Sequence, residues 1–310
     1  MTYLFHLVVL AFGAFFLVYV ALSIALAAAW PLLKKRGEGW EASVLFTLRI
    51  VPLLVAVAVV GLLIVPSFLY LEPFGTGEAL QSLGLTLAFG GITVISAGAI
   101  LALLASRRAT RFVAAYPRIR TVEVAGSNTT ALAVAAATPM LMVAGVCQPK
   151  LLISEEASRL LEPDEMQAAI RHELAHITCH DNLKKLVLRL IQFPFLHGLE
   201  QTWKRAAELA ADDAAATNEL AAVYLASALL KVASRASSRL PELTMSLLPD
   251  EAHTLRLRID RLLAWKPRSE GRSSRSVLWT SFALLGLLLL TLGYGPLLGQ
   301  VHELTELLFR

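Results

Sequence analysis

The chain has 310 residues, with 28 Lys and Arg against 24 Asp and Glu, a net charge of +4, 56% hydrophobic residues and only 17% charged ones; soluble domains run at roughly 45–50% and about 25%. That balance excludes a disordered chain and an ordinary soluble enzyme. Two cysteines without CxxC spacing, Cys147 and Cys179, exclude a disulfide framework or a thiolate metal site and are expected to be reduced.

Four stretches, 1–33, 50–71, 79–106 and 276–302, carry no charged residue. Each exceeds the roughly 20 residues that cross a bilayer as a helix. Spans are therefore expected at about 3–33, 44–71, 79–106 and 276–302. Lys34, Lys35 and Arg36 follow the first, and Arg49 is counted with the same loop, whereas Glu72 to Glu78 contains no Lys or Arg. By the positive-inside rule the first loop is cytoplasmic and the second external. The amino terminus is then outside, and without a basic n-region or a small-residue cleavage site the first span is read as retained. Arg107, Arg108 and Arg111 follow the third span, and Lys266, Arg268, Arg272 and Arg275 precede the fourth. Segment 107–275 is thus expected in the cytoplasm and the tail 303–310 outside. These flanks account for much of the basic pI, so no nucleic-acid partner is expected.

Residues 124–149 are also uncharged, but Asn128, Pro139, Gly145 and Pro149 divide them into strand-length runs at 131–137 and 140–146. With 121–124 and 150–153 they predict a small sheet rather than a fifth span. A helix is expected to start at Glu162-Pro163-Asp164-Glu165, with proline at its first position and acidic residues where the helix dipole favours them. Met166, Ala169, Ile170, Leu174 and Ile177 continue it at helical spacing to about His180. A second helical region begins near Trp203, breaks near Thr217 and runs towards Ser234; 255–265 reads as a basic amphipathic helix and 267–275 as a Ser/Arg-rich linker.

The first of these helices carries His172-Glu173-Leu174-Ala175-His176. Histidines four apart share a helix face, so both imidazoles can reach one ion, with Glu173 beside them as general base. Chance predicts on the order of 0.01 such matches in a chain of this composition. Zinc in such a site takes three protein ligands, and Glu208 on the second helix is the candidate third. Asp212, one turn further, shares its face and can orient a ligating histidine. Peptide hydrolysis would then use Glu173 to take a proton from water and return it to the leaving amine. His197 is a candidate donor to the transition state, and His180 is expected at a helix end. An extended substrate could add to a strand edge within 131–146.

These residues resemble the BlaR/MecR-type membrane zinc metallopeptidases, zincins whose third ligand is a Glu. The resemblance extends to Pro149-Lys150-Leu151-Leu152-Ile153-Ser154, to HELAHITCHDN with Asp181 as a partner of the metal helix, to the run FPFLHGLEQTWKRAAELAAD, and to the order of three spans, domain and fourth span. It implies an α-helical membrane protein of four spans with an α+β zincin-like domain at 107–275, one zinc ion per chain held by His172, His176 and Glu208, and a bacterial-type inner or plasma membrane location. It also implies cleavage of a cytoplasmic transcriptional repressor and self-cleavage before the last span, for which 267–275 is suited. Expected partners are that protein substrate, membrane lipid and a second copy of the chain. The family's penicillin-binding sensor is not expected here: eight residues, 303–310, follow the expected last span and no Ser-x-x-Lys occurs, so β-lactam sensing is not implied. Alternatives are a quality-control protease of the HtpX type, which would place hydrophobic crossings between HExxH and the third ligand, and a non-enzymatic zinc-stabilised scaffold.

Overall fold

A computed structural model of the chain describes residues 2–36, 40–72, 82–115, 118–123, 130–135, 141–146, 148–191, 193–237, 249–266 and 294–308. Among the described residues, three helices are long and apolar enough to cross a membrane. The first is α1 (Thr2–Arg36); the second runs from Ala42 to Leu71 as α2 (Ala42–Val59), a π-helical turn (Val60–Ile64) and α3 (Val65–Leu71); the third is α4 (Ser82–Ala115). The π-turn stands directly before Pro66, whose missing N–H interrupts the regular ladder. The expected fourth span, 276–302, and the linker 267–275 fall outside the described residues except for 294–302, which open a helix over 294–308, α11.

Arg49 departs from expectation. It lies within α2 rather than in a flanking loop and is only 1% exposed, because its charge is matched inside the fold by Glu200 at 3.0 Å. The weight of the positive flank therefore rests on Lys34, Lys35 and Arg36.

Beyond α4 the chain forms a four-stranded mixed sheet in the order β1-β2-β4-β3. Strands β1 (Arg118–Glu123) and β2 (Thr130–Val134) are antiparallel, β2 and β4 (Lys150–Ser154) parallel, and β3 (Leu141–Ala144) antiparallel to β4. The stretch considered as a fifth span thus holds two strands, and only β3 among its runs is a sheet edge. Gly145 turns the β3–β4 connection at φ +97°, where a side chain would also meet the Gln148 carbonyl.

Among the described residues six helices follow: α5 (Glu155–Leu160), capped by the Ser154 hydroxyl, α6 (Pro163–Thr178), α7 (Asp181–Leu190), α8 (His197–Ala215), α9 (Glu219–Ser237) and α10 (Pro249–Leu263). The break predicted near Thr217 falls between α8 and α9. An alanine-rich core joins α6, α8, α9 and α10 through Ala168, Ala215, Ala222, Leu225 and Leu262.

The helical region is not detached from the spans. The turn from α7 to α8 is seated among them: Leu188, Ile191, Leu196, Leu199 and Trp203 share one core with Trp30 of α1 and Leu45 of α2. Irregular backbone is tolerated at such depth only where protein satisfies its polar groups. The Ile191 carbonyl meets this condition, accepting from the hydroxyl of Tyr19, midway along α1, at 2.8 Å and from the Arg49 guanidinium. Gly98 lets α4 approach the end of α7 so closely that any side chain there would collide with the Leu190 carbonyl. Within this turn Leu188, Ile191, Leu196 and Leu199 are buried, while Phe195 is exposed.

Candidate metal centre

The site is assembled by three local devices. At the start of α6, Glu162 and Glu165 form a reciprocal capping box, with the Glu162 N–H donating to Glu165 at 2.9 Å, and Pro163 occupies the first turn. Glu165 also accepts from Ser227 at 2.6 Å and Lys231 at 2.8 Å, which ties α6 to α9. Lys231 and these hydrogen bonds outweigh the effect of burial and hold its carboxyl below the ordinary range. At the other end of α6, His180 adopts left-handed backbone, φ 55°, and turns the chain so tightly that Asp181 begins α7 beneath His176. The bundle-seated turn then returns the chain as α8, which lays Glu208 and Asp212 along α6.

His172 and His176 bring their Nε2 atoms to 3.3 Å of each other. Glu208 approaches the same point, its oxygens 3.6 Å from His172 Nε2 and 3.7 Å from His176 Nε2. All three ligand atoms lie within 4.8 Å of one another. The opposite ring nitrogens face buried carboxylates: His176 Nδ1 is 2.7 Å from Asp181, and His172 Nδ1 is 3.0 Å from Asp212, at ion-pair distance rather than in an aligned hydrogen bond. Outward Nε2 atoms, inward Nδ1 atoms held by carboxylates and a convergent third carboxylate are the three-ligand donor set that a tetrahedral divalent ion takes in hydrolytic sites. The residues present fit zinc.

The electrostatics are those of an anionic cradle. Burial opposes charging of His172, but Asp212 and Glu208 prevail and raise its pKa to about 9. Burial likewise opposes ionisation of Glu208, yet His172, Arg258 and His176 bring it down to about 2. Glu173 moves the other way, raised chiefly by burial. Its carboxylate accepts from the Val143 N–H of β3 at 3.0 Å, placing it between the histidines and the sheet edge. On that edge Asn182 donates to the carbonyls of Val143 and Gly145, at 3.2 and 2.9 Å.

His197 is the first residue of α8, exposed and 3.1 Å from Gln201. It lines a cavity of about 450 Å³ together with His176, Asp181, Trp203 and Glu208, but eleven residues separate it from Glu208, about 16 Å of helix axis.

Sequence reasoning missed Arg258. From α10 its guanidinium forks onto Asp212 at 2.7 and 2.8 Å and reaches Glu208 at 3.0 Å. Nothing in LRLRIDRLLAW distinguishes it from Arg256, which is 84% exposed and pairs with Asp260 at 3.9 Å. Asn182 was within reach, since it ends the HELAHITCHDN run, but its target is a strand edge that only the fold brings near.

The sequence profile described as BlaR1 peptidase M56 matches residues 70–262, from the end of the second span to α10. No curated protein and no solved structure matches the chain.

Proposed function

Because the chain belongs to the BlaR1 peptidase M56 family, a family of membrane metallopeptidases, we propose that it is a zinc-dependent endopeptidase cleaving a cytoplasmic protein in a signalling response. The observation that carries this reading is the convergence of His172, His176 and Glu208 with Glu173 one residue along the same helix. Zinc held by these three ligands supplies Lewis acidity to a water and to the scissile carbonyl. Glu173 receives a proton on its carboxylate, which burial already disposes to hold one, and delivers it to the leaving amine. Asp181 and Asp212 keep the imidazoles aimed, and Arg258 fixes Asp212 and Glu208 in turn. An extended peptide aligned on β3 would take over the Val143 N–H that Glu173 now accepts, freeing the carboxylate when substrate arrives. His197, which lines a cavity with His176 and Glu208, would contact that peptide away from the cleaved bond.

The substrate class is a transcriptional repressor, and the linker at 267–275 is the expected place of self-cleavage. Family membership supports proposing both, and it favours regulation over quality control. The protein would lie in a bacterial-type inner or plasma membrane with both termini outside and the peptidase in the cytoplasm; a reporter fused after Arg310 should score as external. The main test compares the metal-loaded chain with Glu173→Gln. Cleavage of a co-expressed repressor-type protein and of the linker should fall on the order of 10²–10⁴-fold while metal content is unchanged. Identical fragments from both proteins would defeat the reading.

A further inference from the structure

Cations that the proposed hydrolysis leaves unused line the cavity beside the metal ligands. That cavity, of about 450 Å³, is lined from α7 by Asp181, Lys185 and Arg189 and from α8 by Glu200, Lys204 and Glu208. Residues four apart share a helix face, so each set forms one stripe. Each stripe has a carboxylate at the ligand end, Asp181 against His176 or Glu208 between the histidines. On each, a lysine stands one turn away, about 6 Å along the helix. Arg189 continues the α7 stripe by another turn. A second cavity, of about 410 Å³, shares Lys185 and Arg189, adds Arg108 from α4, and is lined by residues 142–146 of β3 and the turn after it.

The carboxylates of the first cavity are all engaged: Asp181 with His176 and Lys184, Glu200 with Arg49, and Glu208 with the histidines and Arg258. Lys185, Arg189, Lys204 and Arg108 are exposed and form no ion pair among the described residues. The uncompensated charge around both cavities is therefore positive, and a cleft of one sign concentrates ligands of the other. Lys185, Arg189 and Lys204 point to a peptide rather than to a lipid headgroup, because they line the cavity that also holds His176 and Glu208. A peptide aligned on β3 would pass Lys185 and Arg189 on its way to those ligands, since the two side chains belong to both cavities. Steps of about 6 and 12 Å along α7 match roughly two to four residues of extended chain.

Resting on the peptidase reading, we infer that Lys185 and Arg189, reinforced by Lys204, form a specificity subsite that selects a substrate carrying Asp or Glu roughly two to four residues from the cleaved bond. The linker 267–275 offers one such residue, Glu270. The test reads binding first, with the full metal-loaded chain carrying Glu173→Gln in neutral detergent. The probes are short fluorescent peptides, identical apart from a single Glu, Gln or Lys moved along the sequence, followed by anisotropy. At one or two adjacent positions the Glu peptide should bind at least about 5-fold more tightly than the Gln peptide, and the Lys peptide more weakly than either; high salt should shrink the difference. Lys185→Glu with Arg189→Glu should invert the order, and Lys185→Gln with Arg189→Gln should diminish it. Cleavage by the chain with Glu173 intact should follow the same order in kcat/KM. Absent binding, or equal binding of Glu and Gln peptides at every position, refutes the subsite. So does an order unchanged by the charge reversal; weaker binding of that variant to phosphatidylglycerol vesicles would then assign the cations to lipid. Should the reversed variant fail to fold, an undiminished preference in the Gln pair refutes the subsite instead. If the binding order is found but no peptide is cleaved, the peptidase reading fails while the acid-selecting peptide site stands.

Discussion

Helix α8 is gripped at both ends by an arginine, buried at its start and half-buried towards its end, and the two grips differ in kind. Near its start Arg49 of the second span meets one carboxylate, Glu200, and the Ile191 carbonyl, among Trp30, Leu45 and Trp203. Towards its end Arg258 meets two carboxylates, Asp212 and Glu208, that also face histidines. The first is a structural lock, in which one cation satisfies one anion in an apolar shell. The second belongs to an anionic group that several cations share, so its geometry depends on which of them is present.

The contrast can be broken first at the membrane end. Arg49→Met leaves Glu200 without its buried partner, which should cost about 3–5 kcal/mol; thermal unfolding in detergent should show the loss, and Arg49→Met with Glu200→Gln should recover much of it. An unchanged melting point for the single variant would dissolve the lock. The ligand end should respond in function more than in stability. Arg258→Met and Asp212→Asn are each expected to reduce metal affinity or cleavage about 10–100-fold, and Asp181→Asn by a similar factor through His176. Equal losses of stability at both ends would remove the distinction.

The smallest effect is expected at Glu165, away from both grips. Its folded pKa is depressed, so its contribution is present above the unfolded carboxyl value and disappears as pH falls through the folded one. Wild type should therefore exceed Glu165→Gln by about 1 kcal/mol at neutral pH, with the two stability curves converging in acid. A constant offset across the acid range would show that packing rather than charge ties α6 to α9.

The legible parts of this protein were those whose cause is local. The three described spans are long uncharged runs, and the start of α6 follows from a proline and two carboxylates within one turn. The His172–Glu173–His176 face follows from helical periodicity alone. Strands β2 and β3 were visible as interrupted apolar runs at 131–137 and 140–146, although their order was not. Arg49 was misplaced because a charge beside a span looks like a flank; only Glu200, 151 residues away, makes it an interior residue. The turn at 190–196 was hidden for the same reason, since its burial depends on Tyr19, Arg49 and Gly98 from three different helices.

Sequence by itself therefore determined the membrane character, the metal-type helix and the identity of the candidate ligands, because short-range periodicity and charge patterning carry that information. Tertiary structure alone decided that the peptidase helices are anchored inside the span bundle, that Arg258 joins the ligand cluster, and that Lys185 and Arg189 of α7 meet Arg108 of α4 around one cavity. Each depends on residues brought together by packing over long sequence separations, and no local spacing encodes such a meeting.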